Sequence, residues 1–184
     1  SSATQGLLGF GNIATNTYAK IEYDDTNGNF NINNTRAYPL RFLTTDTLRM
    51  SISSAGNVAI GSSAASEKLH LMADGSVGTR IERASSDGNS GVLDFYKTRG
   101  TLASKSIVGT ADTVGALRAY GYDGSNYIQG GEIAFKTNGT PGTNDMPTQF
   151  VVSTTADGAS SPTDRLTITS AGNVAIGLPS STPI

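Results

Sequence analysis

One stretch of sequence occurs twice, at a fixed separation of 116 residues, and it constrains the fold more than any other feature. Residues 47–61 and 163–177 are identical at eleven of fifteen positions, and both end in Ser-Ala-Gly-Asn-Val-Ala-Ile-Gly. Three of the four differences exchange Met for Leu or Ser for Thr, so polarity and approximate size are kept. We name these stretches cassette one and cassette two. Their recurrence predicts a chain built from repeated structural units.

Each cassette has the pattern of a β-hairpin. Two segments alternate polar and apolar residues, as half-buried strands do, and the turn-forming residues between them include Gly172, which can adopt a positive φ. The alternation places four apolar side chains on one face: Leu166, Ile168, Val174 and Ile176 in cassette two, and Met50, Ile52, Val58 and Ile60 in cassette one. A lone hairpin is marginally stable in water, so this face needs a partner, either the next unit or another chain.

Composition narrows the class of protein. Charged residues make up only 15% and hydrophobic residues 36% of the 184 residues, so the core per residue is thin and oligomerisation is expected. The net charge is −2 and no basic stripe exists, which argues against nucleic-acid binding. No apolar run is long enough to predict a membrane span, and cysteine is absent, which excludes disulfides. Because the first residue is Ser, we interpret the chain as a segment of a longer one.

The remaining sequence predicts further strands and almost no helix. Residues 18–23 and 29–33 flank Asn27-Gly28, a strong hairpin signal that puts Ile21 and Tyr23 on one face with Phe30 and Ile32. Residues 62–73 could form a helix, or residues 68–72 within them could form a strand, and we favour the strand. Strands are also predicted in these ranges: 39–43, 79–83, 91–96, 103–108, 115–122, 131–136 and 149–153.

This pattern predicts an all-β fold of short antiparallel strands and hairpins. The predicted domains are a first β-repeat unit, residues 1–69, which ends in cassette one, and a longer second unit, residues 70–184, which ends in cassette two.

Several polar residues are candidates for catalytic or metal-binding sites. The single histidine, His70, cannot by itself form a catalytic triad or a histidine-based metal site, and we interpret it as a strand residue. Oxygen-bearing side chains alternate as calcium ligands do at Asp24, Asp25, Asn27 and Asn29. However, glycine and glutamate do not occupy the later positions at which a calcium loop requires them. We therefore interpret this segment as a hairpin turn, and residues 123–126 in the same way.

Carboxylates and tyrosines leave two functional alternatives open. Asp94, Glu132 and Asp157 could pair for glycosidic hydrolysis, although solvated acids are normal in strands and turns. Three tyrosines near a predicted turn could stack on sugars, although tyrosine is also a good strand residue; they are Tyr120, Tyr122 and Tyr127. We assign no catalytic, cofactor-binding or metal-binding residue, and we expect a protein that is not an enzyme and has no cofactor.

The cassette resembles a recurring unit of tailed-bacteriophage tail fibres and spikes. The similarity rests on Arg165-Leu-Thr-Ile-Thr followed by the Ser-Ala-Gly-Asn-Val-Ala-Ile-Gly turn and strand, and on residues 67–71, Glu-Lys-Leu-His-Leu. Segments 120–124, 138–147 and 153–158 are similar to an insert found in the same family. Together these segments extend the resemblance over residues 18–178.

The resemblance implies an elongated, repeat-built homotrimer, with chains either intertwined or side by side in β-prism or β-sandwich fashion. It implies a virion protein that links the particle to a receptor-binding tip and supports host attachment. The implied partners are other tail proteins and, through an adjoining tip, a host glycan or protein, but neither nucleic acid nor membrane. The alternatives are a bacterial surface or secreted adhesin repeat and, third, a carbohydrate-active β-domain.

Overall fold

The computed structural model describes residues 7–10, 19–24 and 26–177, and every regular element in these ranges is a β-strand. The all-β prediction is therefore confirmed. The chain divides into two compact units, Ser1–Arg80 and Ile81–Ile184. The division expected between residues 69 and 70 falls inside a strand that is hydrogen-bonded to the first unit, so the first unit extends to Arg80.

The described residues of the first unit form two sheets, each with its strands in chain order. The first sheet is antiparallel and consists of β1 (Leu7–Phe10), β2 (Ala19–Asp24) and β3 (Asn29–Asn34). The second sheet consists of β4 (Leu40–Thr44), β5 (Thr47–Ile52), β6 (Val58–Ile60) and β7 (Leu69–Leu71). Its first three strands are antiparallel, and β7 runs parallel to β6.

The hairpin predicted around Asn27-Gly28 is confirmed. Gly28 has a φ of 68°, a conformation that glycine adopts without steric cost. The register pairs Ile21 with Ile32 and Tyr23 with Phe30, so these four side chains share a face, as the alternation predicted.

The strand interpretation of residues 68–72 is also confirmed, over the shorter range of β7. Backbone hydrogen bonds from Val58 N to the Lys68 carbonyl and from Met72 N to the Ile60 carbonyl, both 2.9 Å, hold β7 against β6. A parallel neighbour requires a crossover, which residues 61–68 supply.

The second unit contains a five-stranded antiparallel sheet with its strands in chain order. A two-stranded ribbon, β8 (Arg99–Gly100) and β9 (Lys105–Ser106), precedes it. The five strands are β10 (Thr113–Tyr122), β11 (Tyr127–Thr137), β12 (Thr148–Thr154), β13 (Thr163–Ile168) and β14 (Val174–Ile176).

Three predicted strands differ from the structure. Residues 79–83 and 91–96 form no strand, and within 103–108 only Lys105–Ser106 does. Alternation specifies which side chains share a face, but a strand also needs a second segment that satisfies its backbone hydrogen bonds. None of the β-ladders among the described residues involves residues 79–98, and their side chains are almost all exposed.

Candidate functional site

Both cassettes form the predicted hairpins. In cassette two Leu166 pairs with Ile176 and Ile168 pairs with Val174 across β13 and β14. Cassette one repeats this register across β5 and β6, where Met50 pairs with Ile60 and Ile52 with Val58. Side chains of directly paired residues lie on the same side of a sheet, so the four apolar positions of each cassette share one face. That prediction is confirmed in both copies.

The turn explains one of the two serine–threonine exchanges between the copies, that of Ser53 for Thr169. In cassette two, the Thr169 hydroxyl accepts a hydrogen bond from Asn173 N at 3.2 Å, and Gly172 has a φ of 83°. In cassette one the Ser53 hydroxyl accepts from Asn57 N at 3.0 Å. Either residue supplies the hydroxyl oxygen that closes the turn, so the exchange preserves the interaction.

A single apolar face runs across all five strands of the β10–β14 sheet in the second unit. One row of paired residues joins Leu117, Ile133, Val152, Leu166 and Ile176, and the next joins Phe135, Phe150, Ile168 and Val174. The rings of Phe135 and Phe150 lie 5.6 Å apart, centroid to centroid. We call these nine side chains the apolar face. Sequence reasoning identified four of them and did not connect them to β10–β12, although alternation within those strands carried the signal.

The apolar face is the exposed side of the sheet within one chain. Six of its nine side chains are exposed, from 38% for Ile168 to 74% for Ile176. The opposite side carries smaller residues, and there Ala134 and Val151 are fully buried. An isolated globular domain would bury its larger apolar side chains instead. The cassette therefore has the predicted face, and within one chain nothing described covers most of it.

Charged side chains form a layer over the small residues of the opposite side. Glu132 accepts a hydrogen bond from Arg118 Nε at 2.5 Å, and Lys136 Nζ lies 3.9 Å from both Glu132 Oε1 and Asp164 Oδ1. These ion pairs reach from β11 across β12 to β13, directly above the row that contains Val151. The sheet thus has one side that carries ion pairs over small residues and one apolar side.

The second sheet of the first unit follows the same plan. Its apolar side is formed by two rows, Leu40, Ile52, Val58 and Leu69, and Phe42, Met50, Ile60 and Leu71. The opposite side carries Ser51 and Ala59, which are 2% and 1% exposed. The repeat therefore preserves a two-sided sheet rather than a pocket.

The structure does not bring the candidate catalytic and metal-binding residues together. His70 lies in β7, where its Nδ1 is 3.4 Å from the Ser66 hydroxyl. Asn27 and Asn29 are exposed in the β2–β3 hairpin, whereas Asp25 and the Asp24 side chain lie outside the described residues. Glu132 is paired with Arg118, and Asp94 and Asp157 are exposed in separate segments. Across the described ranges, no group of three or more His, Cys, Asp or Glu could hold a metal ion.

The segment at residues 123–126 is a turn. Asp123 Oδ1 accepts hydrogen bonds from Ser125 N and Asn126 N, both at 2.7 Å. These two hydrogen bonds hold the pKa of Asp123 below its usual value, and the bond from Asn126 N has the larger effect. The carboxylate thus stabilises the β10–β11 turn, beside the exposed pair Tyr122 and Tyr127, whose rings lie 5.4 Å apart.

The sheet geometry defines the class first: a repeat-built, all-β chain in which the two sheets that contain the cassettes each present one apolar side. The described residues include no helix long and apolar enough to cross a membrane. No family profile and no curated protein matches the sequence.

Solved structures of one fibre share this fold. The carboxy-terminal domain of the bacteriophage T5 L-shaped tail fibre matches over 97% of this chain and 81% of its own, with a TM-score of 0.62 and 15% identity. The form of that domain with its intramolecular chaperone domain matches over 97% of this chain and 56% of its own, with a TM-score of 0.61 and 16% identity. At this level of identity the likeness establishes a common fold.

Proposed function

We propose that this chain is a structural module of a bacteriophage tail fibre or tail spike and that three copies of it assemble through their apolar faces. The observation that carries the proposal is the apolar face itself, nine side chains on five strands, most of them exposed in one chain. The fold shared with the T5 tail fibre domain supports the class of virion protein.

The energetics support assembly. Full burial of one Val, Leu, Ile or Phe side chain stabilises by roughly 1.5–3 kcal/mol, so covering six half-exposed side chains contributes on the order of 6 kcal/mol per chain. Loss of translational and rotational freedom opposes association by about 4–15 kcal/mol. The apolar side of the first unit adds further burial, so the faces of both units favour a stable assembly.

In this role the module lies outside the cell, on the virion, and connects the particle to a receptor-binding tip that attaches to the host. The role is mechanical and not enzymatic. Its carboxylates fit that role, because Glu132 is held by Arg118 while Asp94 and Asp157 lie in exposed, separate segments. Incubation with host polysaccharides should release no new reducing ends, and release that Glu132→Gln abolishes would contradict this part of the proposal.

Antibodies raised against the chain test its location. Gold-labelled antibody should decorate the tail appendages of purified particles in electron micrographs and leave their capsids unlabelled. Uninfected bacteria should remain unlabelled as well. Label on the surface of uninfected cells would instead indicate a bacterial adhesin and would overturn the proposal.

A further inference from the structure

The hairpin of β10 and β11 carries three exposed tyrosines on one side. Tyr122 pairs directly with Tyr127, and Tyr120 lies two residues before Tyr122, so all three side chains lie on the same side of the hairpin. Their exposed fractions are 54% for Tyr120, 61% for Tyr122 and 75% for Tyr127. We call these three side chains the tyrosine patch.

The tyrosine patch lies on the side of the sheet opposite the apolar face. Successive residues of a strand alternate between the two sides, so Tyr120 shares the side of Arg118 and not that of Leu117, which belongs to the apolar face. The two phenylalanines of this sheet, Phe135 and Phe150, lie in the apolar face. The sheet thus separates its aromatic residues, with those that carry a hydroxyl group on the side of the ion pairs.

The hairpin holds the tyrosine patch in a fixed shape. The rings of Tyr122 and Tyr127 lie 5.4 Å apart, centroid to centroid, and are tilted by 55°. Asp123 closes the turn between them, because its backbone N donates to the Asn126 carbonyl at 3.0 Å and its carboxylate accepts from two backbone N–H groups. A binding surface that is already ordered loses little conformational entropy when a ligand binds.

The tip of the hairpin extends beyond the rest of the sheet. The ladder between β11 and β12 begins at Gly131, whereas the ladder between β11 and β10 continues to Tyr127. The three tyrosines therefore lie on a two-stranded projection, which is why their rings are exposed. Because Tyr120 is roughly 7 Å from Tyr122 along the strand, the patch is longer than one sugar ring.

Hydrogen-bonding side chains border the rings on the same side. Gln129 pairs with Tyr120 across the hairpin. Glu132 accepts hydrogen bonds from Arg118 Nε at 2.5 Å and from Gln129 Nε2 at 3.4 Å. The Arg118 guanidinium also interacts with the side chain of Tyr120. Arginine has five N–H donors, so these contacts leave donors for a ligand.

The chemistry of this border favours a neutral ligand rich in hydroxyl groups. Arg118 and Glu132 form an ion pair, so their charges cancel and an anionic polymer would gain little. The centre of a protein–protein interface is apolar, whereas these rings are bordered by an ion pair and an amide. A pyranose sugar is neutral, its C–H groups stack on aromatic faces, and its hydroxyl groups bond to such polar side chains.

We propose that the tyrosine patch is a binding site for a neutral polysaccharide. Its sugar rings stack on the three tyrosines, and its hydroxyl groups bond to Arg118, Gln129 and Glu132. This inference goes beyond the proposed function, in which the module has only a mechanical role. It does not depend on that function, because one hairpin of a single chain supplies the whole site.

A printed array of neutral and acidic bacterial surface polysaccharides tests the proposal on the full chain. Labelled protein should bind at least one neutral polysaccharide on the array. The signal should be the same with and without about 0.5 M NaCl, because no ion pair forms between the protein and the sugar.

Three variants locate the site. Tyr127→Leu keeps an apolar contact across the hairpin but removes the flat ring, so it should retain the melting temperature and bind the same polysaccharide about tenfold more weakly. Tyr127→Phe keeps the ring and should bind nearly as the wild type does. Tyr96→Ala is the matched control, because Tyr96 is 92% exposed and lies outside the patch, so binding should be unchanged.

The proposal is overturned if no neutral polysaccharide on the array is bound, or if Tyr127→Leu binds as the wild type does. Binding that is confined to acidic polysaccharides and abolished by salt would also contradict it. Light scattering provides a separate check, since Tyr127→Leu should leave the mass of the particle unchanged. A lower mass would show that the patch is a contact between copies of this chain, and would likewise overturn the proposal.

Discussion

Gly61 and Gly177 occupy the same position in the two cassettes but have different surroundings. Both have a positive φ, 83° and 74°, a region that other L-residues enter only at a steric cost. Only Gly61 is also crowded, because the Met72 carbonyl passes directly over it. The pair therefore separates the cost of backbone conformation from the cost of lost space within one protein.

Substitution of each glycine by alanine should have unequal effects. Gly177→Ala should lower the free energy of unfolding by about 1 kcal/mol, the cost of the left-handed conformation. Gly61→Ala should cost roughly 1–3 kcal/mol more, because its methyl group overlaps Met72 and displaces β7. Urea denaturation of the two variants measures both values. Equal losses would show that the close approach of Met72 contributes nothing.

At the scale of elements, an ion pair joins β8 to the segment before β10, and its contribution to stability should depend on pH. Asp112 accepts two hydrogen bonds from Arg99, both at 2.8 Å, and one from Gly109 N at 2.9 Å. These hydrogen bonds hold the pKa of Asp112 well below its usual range; those from Arg99 have the largest effect, and that from Gly109 N has the next largest. The unfolded chain therefore takes up this proton before the folded chain does, so the stabilisation is present above about pH 4 and is lost as the pH falls further.

Asp112→Asn should reduce this acid sensitivity. Between pH 7 and pH 3, wild-type protein should lose more free energy of unfolding than the variant, since the variant has no carboxylate to protonate. Arg99→Gln is the companion variant and should remove most of the same pH-dependent component. Denaturant titrations at several pH values measure it. Parallel pH profiles for wild type and Asp112→Asn would contradict the assigned role.

Elements were predictable from the sequence where their partners are local. The cassettes and the Asn27-Gly28 hairpin each contain both strands and the turn, so alternation and turn residues specify them together. Residues 79–83 and 91–96 have comparable alternation, yet they belong to no β-ladder among the described residues, and alternation alone does not show whether a ladder forms. For the same reason the four apolar positions of cassette two were predictable, but their continuation across β10–β12 depends on the order of strands in the sheet.

At the scale of the molecule, the two sides of each main sheet are inverted relative to an isolated domain. In the five-stranded sheet the small residues are buried beneath ion pairs and the large apolar residues face outward. The β4–β7 sheet likewise has its buried small residues on the side opposite its apolar rows. Ile168 lies within this outward face, paired with Phe150 on one side and Val174 on the other. A charge at this position should disrupt an assembly through the face more than it disrupts the fold of one chain, because Ile168 is already 38% exposed.

The mass of the particle in solution, measured by light scattering, tests the central claim most directly. Three chains of 19.0 kDa should scatter as a species of about 57 kDa, and Ile168→Asp should dissociate it toward 19.0 kDa while the β-sheet circular dichroism is retained. Ile168→Val, which keeps an apolar side chain, should remain a trimer. A folded wild-type chain that scatters as a 19.0 kDa monomer at micromolar concentration would contradict the account.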